Sequence, residues 1–191
     1  MSTYQASGAL TPPEAHALQS MLREPVRPGL GEAELDDVER RFGFRFAADH
    51  RTFLAAGVPV GDRWPDWQHG NPEQLRKRLE WPVDGVLYDV EQNGTWLPDW
   101  GPRPTDLTEA LAIARDCLTA VPQLIPICGH RYLPGIPEST GYPVLSVYQT
   151  DIIYYGYNIQ SYLRHEFGGE PLGPPPEPPP RRIEFWSRFI D

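Results

Sequence analysis

The segment that most restricts the fold is 32–61, EAELDDVERRFGFRFAADHRTFLAAGVPVG, because both ends of two consecutive helices are written into it. Leu35, Val38 and Phe42 recur at helical spacing. Acidic residues crowd the first turn, and Arg40 and Arg41 occupy the last, as the helix dipole prefers. Gly43 stops this helix. Phe44 and Phe46 then alternate with Arg45 as a short extended elbow, and Asp49 is expected to cap a second helix that Gly57 and Pro59 close.

A chain of 191 residues fits one domain with tails and is too short for two comfortable ones. Its 40% hydrophobic and 12% aromatic content excludes a wholly disordered chain, while 23 prolines and 17 glycines require many turns. The formal charge of −9 argues against general affinity for DNA or RNA, which draws on clustered Lys and Arg, and favours a basic partner. Two cysteines, Cys117 and Cys128, cannot build a disulfide scaffold or a four-ligand zinc site. No stretch approaches the ~20 apolar residues of a spanning helix, and the N-terminus lacks a basic region followed by an apolar run, so the expected location is cytoplasmic, away from any membrane.

Along the chain, 12–22 can form a short helix, read as part of a peripheral segment 1–30. PEQLRKRLEW carries Leu75 and Leu79 on one helical face, and Pro82 is expected to end it. The next residues read as a strand, with Val86, Tyr88 and Val90 alternating with Leu87, Asp89 and Glu91 before an Asn93-Gly94 turn. Helical spacing returns at 107–120, a buried strand at 124–128, and two strands across 143–155 joined at Gln149-Thr150-Asp151. Asn158 is expected to cap a helix carrying Ile159, Tyr162, Leu163 and Phe167, finished by Gly168-Gly169. Seven prolines in 171–180 dictate an extended spacer, a proline-rich strap. The closing residues, with Ile183, Phe185, Trp186, Phe189 and Ile190, are apolar enough to dock, either on the domain itself or on another molecule. The expected units are therefore 1–30, a domain of 31–168, and a strap with an aromatic tail at 169–191.

The 32–61 segment resembles the opening of SMI1/KNR4 proteins of the SUKH superfamily, where an acidic helix, a glycine, a short "LP.DY" elbow and an "FL...GG" helix come first. Here Phe46-Ala47 stands where Leu-Pro is common, and Val58-Pro59-Val60 interrupts the glycine-rich end, as in a divergent bacterial branch. LIPICGHRYLPG (124–135) and GYPVLSVYQTDIIYYG (141–156) are similar to the family's later strands, so the resemblance covers roughly 32–167. It implies an α+β fold, a mostly antiparallel sheet packed with helices. It also implies a role without catalysis or cofactor: bacterial relatives are regarded as immunity proteins that bind and neutralise toxins, often nucleases. Fungal relatives suggest a regulatory or scaffold module instead, with the aromatic tail recruiting the partner.

The residues themselves offer one cluster for such contact. Five of six tryptophans fall within 64–100, interleaved with acids. Asp62, Trp64, Asp66, Trp67, Asp89, Glu91, Trp96, Asp99 and Trp100 are the candidate partner-binding residues, with Trp81 and Asp84 between them, because tryptophan supplies contact area while acids steer a basic surface. The bland alternative is that the rings pack the core edge and the acids are merely solvated. As an acid–base pair, Asp89 and Glu91 would share one face of a strand, and His130 with Cys128 would suggest a nucleophile or metal; neither arrangement has the supporting residues that catalysis requires. The sequence names neither the partner nor the oligomeric state.

Overall fold

The computed structural model describes residues 8–190; residues 1–7 and 191, the outer ends of the expected N-terminal segment and tail, lie outside the described residues. The fold is α+β, with a four-stranded antiparallel sheet carrying helices on both faces. The strands are β3 (Leu124–Cys128), β4 (Arg131–Pro134), β5 (Val144–Tyr148) and β6 (Asp151–Gly156), paired in the order of the chain. A two-residue pair, β1 (Val26–Arg27) with β2 (Val58–Pro59), ties the N-terminal segment to the second helix of the 32–61 unit.

Alternation along the strands divides the sheet between two apolar cores, as the period of two requires. Ile125, Ile127, Leu133 and Val144 face the larger core, built by α1 (Pro12–Gln19), α2 (Glu32–Phe42), α3 (Ala48–Ala56) and α6 (Ile159–Gly168). Leu124, Tyr132, Leu145, Val147 and Ile152 face the smaller core under α4 (Pro72–Gln92) and α5 (Leu107–Leu118). Both faces being covered explains why β3 is buried at every position.

The 32–61 unit forms as its end signals dictate, with Gly43 at φ 74° ending α2 in the left-handed conformation that glycine accepts without strain. The elbow is held by buried Glu39, whose carboxylate accepts from the Phe46 N–H at 2.9 Å, Arg45 Nε at 2.8 Å and Arg51 Nη1 at 2.9 Å. Asp49 does not cap α3, whose first helical residue follows Ala47. Its buried carboxylate instead accepts from the N–H groups of Leu10 (2.7 Å) and Gly141 (2.7 Å), stitching both flanks of the chain to the helix. Nor is the N-terminal segment peripheral: Leu10, Ala15 and Leu18 are buried in the larger core.

The largest departure from the sequence reading is α4. The expected helix break at Pro82 and the strand over 86–91 are a single 21-residue helix with Pro82 inside it. A proline in a helix interior deprives the carbonyl four residues earlier of its donor. That carbonyl belongs to Arg78, and the Tyr132 hydroxyl of β4 donates to it at 2.9 Å. The apolar spacing Leu75, Leu79, Pro82, Val86 and Val90, all buried, runs through the proline uninterrupted. Gly85 lets the helix cross the β5–β6 turn: a Cβ there would lie 2.8 Å from the Gln149 Cα.

The tail also docks on its own domain. Ile183, Phe185 and Trp186 are buried in the smaller core, and the Trp186 indole N–H donates to the Pro122 carbonyl at 2.6 Å. Within 171–180 no helix or strand forms; the Tyr157 hydroxyl donates to the Gly173 carbonyl at 2.9 Å, and Arg181 reaches the Thr140 carbonyl at 2.8 Å.

Candidate partner-binding surface

The nine candidate residues do not form one surface. Trp67, 1% exposed, is enclosed by the rings of Phe42, Phe44 and Phe46 at 5.4–5.7 Å, and Trp64, 5% exposed, lies between Phe53 and Phe167. Both are side chains of the larger core. Trp100 belongs to the smaller core, stacked on Phe185 of the tail, with the half-buried Trp96 edge-on to it at 5.2 Å and donating its N–H to the Gly101 carbonyl. Trp64, Trp67 and Trp100 thus place their large apolar area in the two cores.

The acids separate likewise. Asp89 is buried and structural: its carboxylate accepts from the Thr150 N–H (2.8 Å), the Thr150 hydroxyl (2.6 Å) and the Asn93 amide (2.5 Å), fastening α4 to the β5–β6 turn. Glu91 is exposed, and two residues apart on a helix the pair points in roughly opposite directions, which removes the shared face expected of a strand. Asp66 is half-buried; burial opposes its charge, but the Arg27 guanidinium at 2.6 Å and the His69 N–H together hold its carboxyl below the usual carboxylate range. Asp99 pairs with Arg188 of the tail. Asp62 is exposed beside Trp64.

What reaches solvent is a different aromatic set. Trp81 is 46% exposed, Tyr88 49% and Tyr148 57%. The Trp81 indole donates to the Val147 carbonyl at 3.3 Å and its ring lies 6.2 Å from that of Tyr148, so α4 and the β5–β6 hairpin present these rings together. On α4, Trp81 and Tyr88 are seven residues apart on one stripe, and Glu80, Asp84 and Glu91 fall on the same exposed side. No salt bridge among the described residues engages those three acids. The sequence carried a signal for this surface, the apolar spacing continuing past Pro82, which places Trp81, Asp84 and Tyr88 opposite the core.

Cys128 and His130, the residues of the nucleophile and metal readings, lie at the end of β3 and at the β3–β4 turn. Burial pushes the Cys128 thiol up to about 11, leaving it protonated at neutral pH. Burial, with Arg131 and Arg63, lowers the His130 pKa, and His130 lies exposed at the β3–β4 turn. Among the described residues no three His, Cys, Asp or Glu side chains converge as metal ligands would, and no helix is long and apolar enough to cross a membrane. In comparisons with known proteins, no family model, no curated protein and no solved structure matches the chain.

Proposed function

We propose that this chain is a divergent bacterial domain of the SMI1/KNR4 type that acts without catalysis, binding a basic protein and neutralising it, a nuclease toxin being the partner class the resemblance implies. The observation that carries the reading is the exposed aromatic and acidic side of α4 and the adjoining hairpin: Trp81, Tyr88 and Tyr148 with Glu80, Asp84 and Glu91. Three large aromatics standing half-exposed together are unusual on a surface with no partner, and aromatic rings are the commonest anchors of protein interfaces. The unpaired carboxylates and the net charge of −9 would accelerate encounter with a basic surface and exclude nucleic acid from it.

The competing reading, a regulatory or scaffold module recruited through the C-terminal tail, is disfavoured by the docking of Ile183, Phe185 and Trp186 in the domain's own core. Such recruitment would first have to pull them out. The proline-rich segment serves, in the proposed reading, as a strap that delivers the tail to the smaller core.

The test is a pull-down from the source organism's lysate at low and high salt, with wild-type protein and a Glu80→Lys/Asp84→Lys/Glu91→Lys variant. A basic nuclease retained at low salt, released at high salt and lost with the variant supports the proposal. A partner retained equally by both proteins would place the interface elsewhere.

A further inference from the structure

A cleft of about 570 Å³ opens between the middle of α4, the end of α5 and the start of β3. Leu118, Leu124 and Trp186, all buried, close it from beneath, and the half-buried Val83 and Val121 are apolar walls that solvent reaches. Pockets that receive ligands commonly measure about 300–1,000 Å³, so the space is ample for one large side chain. One rim is acidic. Glu80 and Asp84, a turn apart on α4, are exposed there and enter no ion pair among the described residues. Arg115 on the opposite rim is equally without one, so the two carboxylates are not paired across the cleft. Helix α5 ends at Leu118 in the same wall, and the negative end of its dipole adds to their charge.

Their position on the helix makes these acids a ridge. At about 100° per residue, α4 presents in angular order Trp81, Asp84, Glu80 and Val83. The carboxylates therefore separate the exposed rings from the cleft, and a cation resting on them has apolar surface on either side. This arrangement discriminates among occupants. An anion would meet Arg115 but also both carboxylates, and a purely apolar group would leave the ridge unused. A second copy of a chain with net charge −9 would bring like charge to it. A segment carrying a lysine or arginine two residues from an apolar side chain satisfies ridge and cleft together. In extended backbone such residues project from the same side, about 7 Å apart.

We propose that this cleft receives an apolar side chain of the partner while a lysine or arginine two residues away rests on Glu80 and Asp84. The proposal rests on the reading that the chain binds a basic protein, and it adds a second anchor beside the exposed rings. The probe is N-acetyl-Lys-Gly-Phe-amide, titrated into the full-length protein with ¹³C-labelled methyl groups and ¹⁵N-labelled indoles. The Val83 and Val121 methyl resonances are expected to shift saturably. Serine in place of the peptide's phenylalanine should weaken binding roughly tenfold, as loss of a buried aromatic side chain does. Glu80→Gln/Asp84→Asn should weaken it about threefold, as exposed ion pairs do, and glutamate in place of the peptide's lysine by more. Thr119→Trp, which fills the mouth from the exposed end of α5, should block the shifts in a protein of unchanged circular dichroism. Equal binding of the serine or glutamate peptide, a shift of the Trp81 indole alone, or no shift at all overturns the cleft. So would methyl shifts that follow protein concentration without peptide, which would make a second copy the occupant. A shift of Trp81 alone leaves the basic-partner surface standing. Conversely, a full cleft response in a protein that captures no basic partner from the lysate keeps the cleft and removes the toxin reading.

Discussion

The two cores on either side of the sheet are assembled differently. The larger is built mainly of short helices that carry their own stop signals, as with Gly43 after α2 and the Asn158 cap of α6, so each forms where its local sequence directs. The smaller depends on groups brought from far away: Trp186 of the tail against Pro122, Phe185 against Trp100, and Asp89 of α4 against Thr150. Helix α4 connects the two, with Leu75 and Leu79 in the larger core and Val86, Leu87 and Val90 in the smaller. Short-range signals set most helix ends around the first core, whereas along α4 in the second long-range contacts override them.

Truncation of one large ring in each core is the severest test of that contrast. Trp67→Ala and Trp186→Ala should each cost about 3–5 kcal/mol, the usual range for removing a fully buried tryptophan. Urea unfolding followed by both fluorescence and circular dichroism should show one transition for Trp67→Ala. If the smaller core depends on the tail as its contacts indicate, Trp186→Ala should loosen α4, α5 and the tail first and separate the two probes. Coincident probes in both variants would mean that α4 couples the cores into one cooperative unit.

Acid should act through the larger core. His50 is buried, its ring edge-on to Phe46 and its Nδ1 without a hydrogen-bond partner among the described residues, and burial holds its pKa at about 3, against about 6.5 in an unfolded chain. The unfolded state therefore binds a proton that the folded state refuses. The stabilising contribution is present above pH 6.5 and is lost as pH falls toward 3, at up to ~1.4 kcal/mol per pH unit. Asp49 opposes this, since burial raises its pKa and its protonated form favours the fold as pH falls. Unfolding free energies between pH 4 and 7 should show a slope that His50→Leu flattens. An unchanged slope in that variant would assign the acid sensitivity elsewhere.

Pro82 shows why the second core was harder to read. Taken locally, a proline and the alternation Val86, Tyr88, Val90 spell a break and a strand; the apolar spacing from Leu75 to Val90 spells one helix, and burial decides for the helix. What makes the proline tolerable, the Tyr132 hydroxyl on the Arg78 carbonyl, is 54 residues away in sequence and invisible to any local rule. The same holds for Trp64 and Trp67, whose enclosure by Phe42, Phe44, Phe46, Phe53 and Phe167 is a tertiary fact. By contrast α2, the elbow, α5, the paired strands and α6 were legible, because turn chemistry and periodicity agreed there with the final packing. Tyr132→Phe should cost about 1–3 kcal/mol by leaving a buried carbonyl unpaired. In a Pro82→Ala background the helix supplies its own N–H at that position, so the penalty should shrink; a double-mutant cycle with no coupling between the two sites would remove this account of the proline.

The smallest stability effect is expected where the functional stake is largest. Trp81 and Tyr88 sit on the side of α4 turned away from both cores, and the one hydrogen bond from Trp81 is long at 3.3 Å. Replacing both with serine should change unfolding free energy by only about 0.5 kcal/mol, the range of ordinary surface substitutions. Partner binding, however, should weaken by about 2 kcal/mol or more if these rings are anchors. A stability loss approaching that of Trp186→Ala would show that the exposed rings hold α4 to the hairpin, making them a third packed region. Unchanged stability with unchanged capture of the partner would instead leave the rings without a role in binding, and the acidic residues around them would have to account for recognition alone.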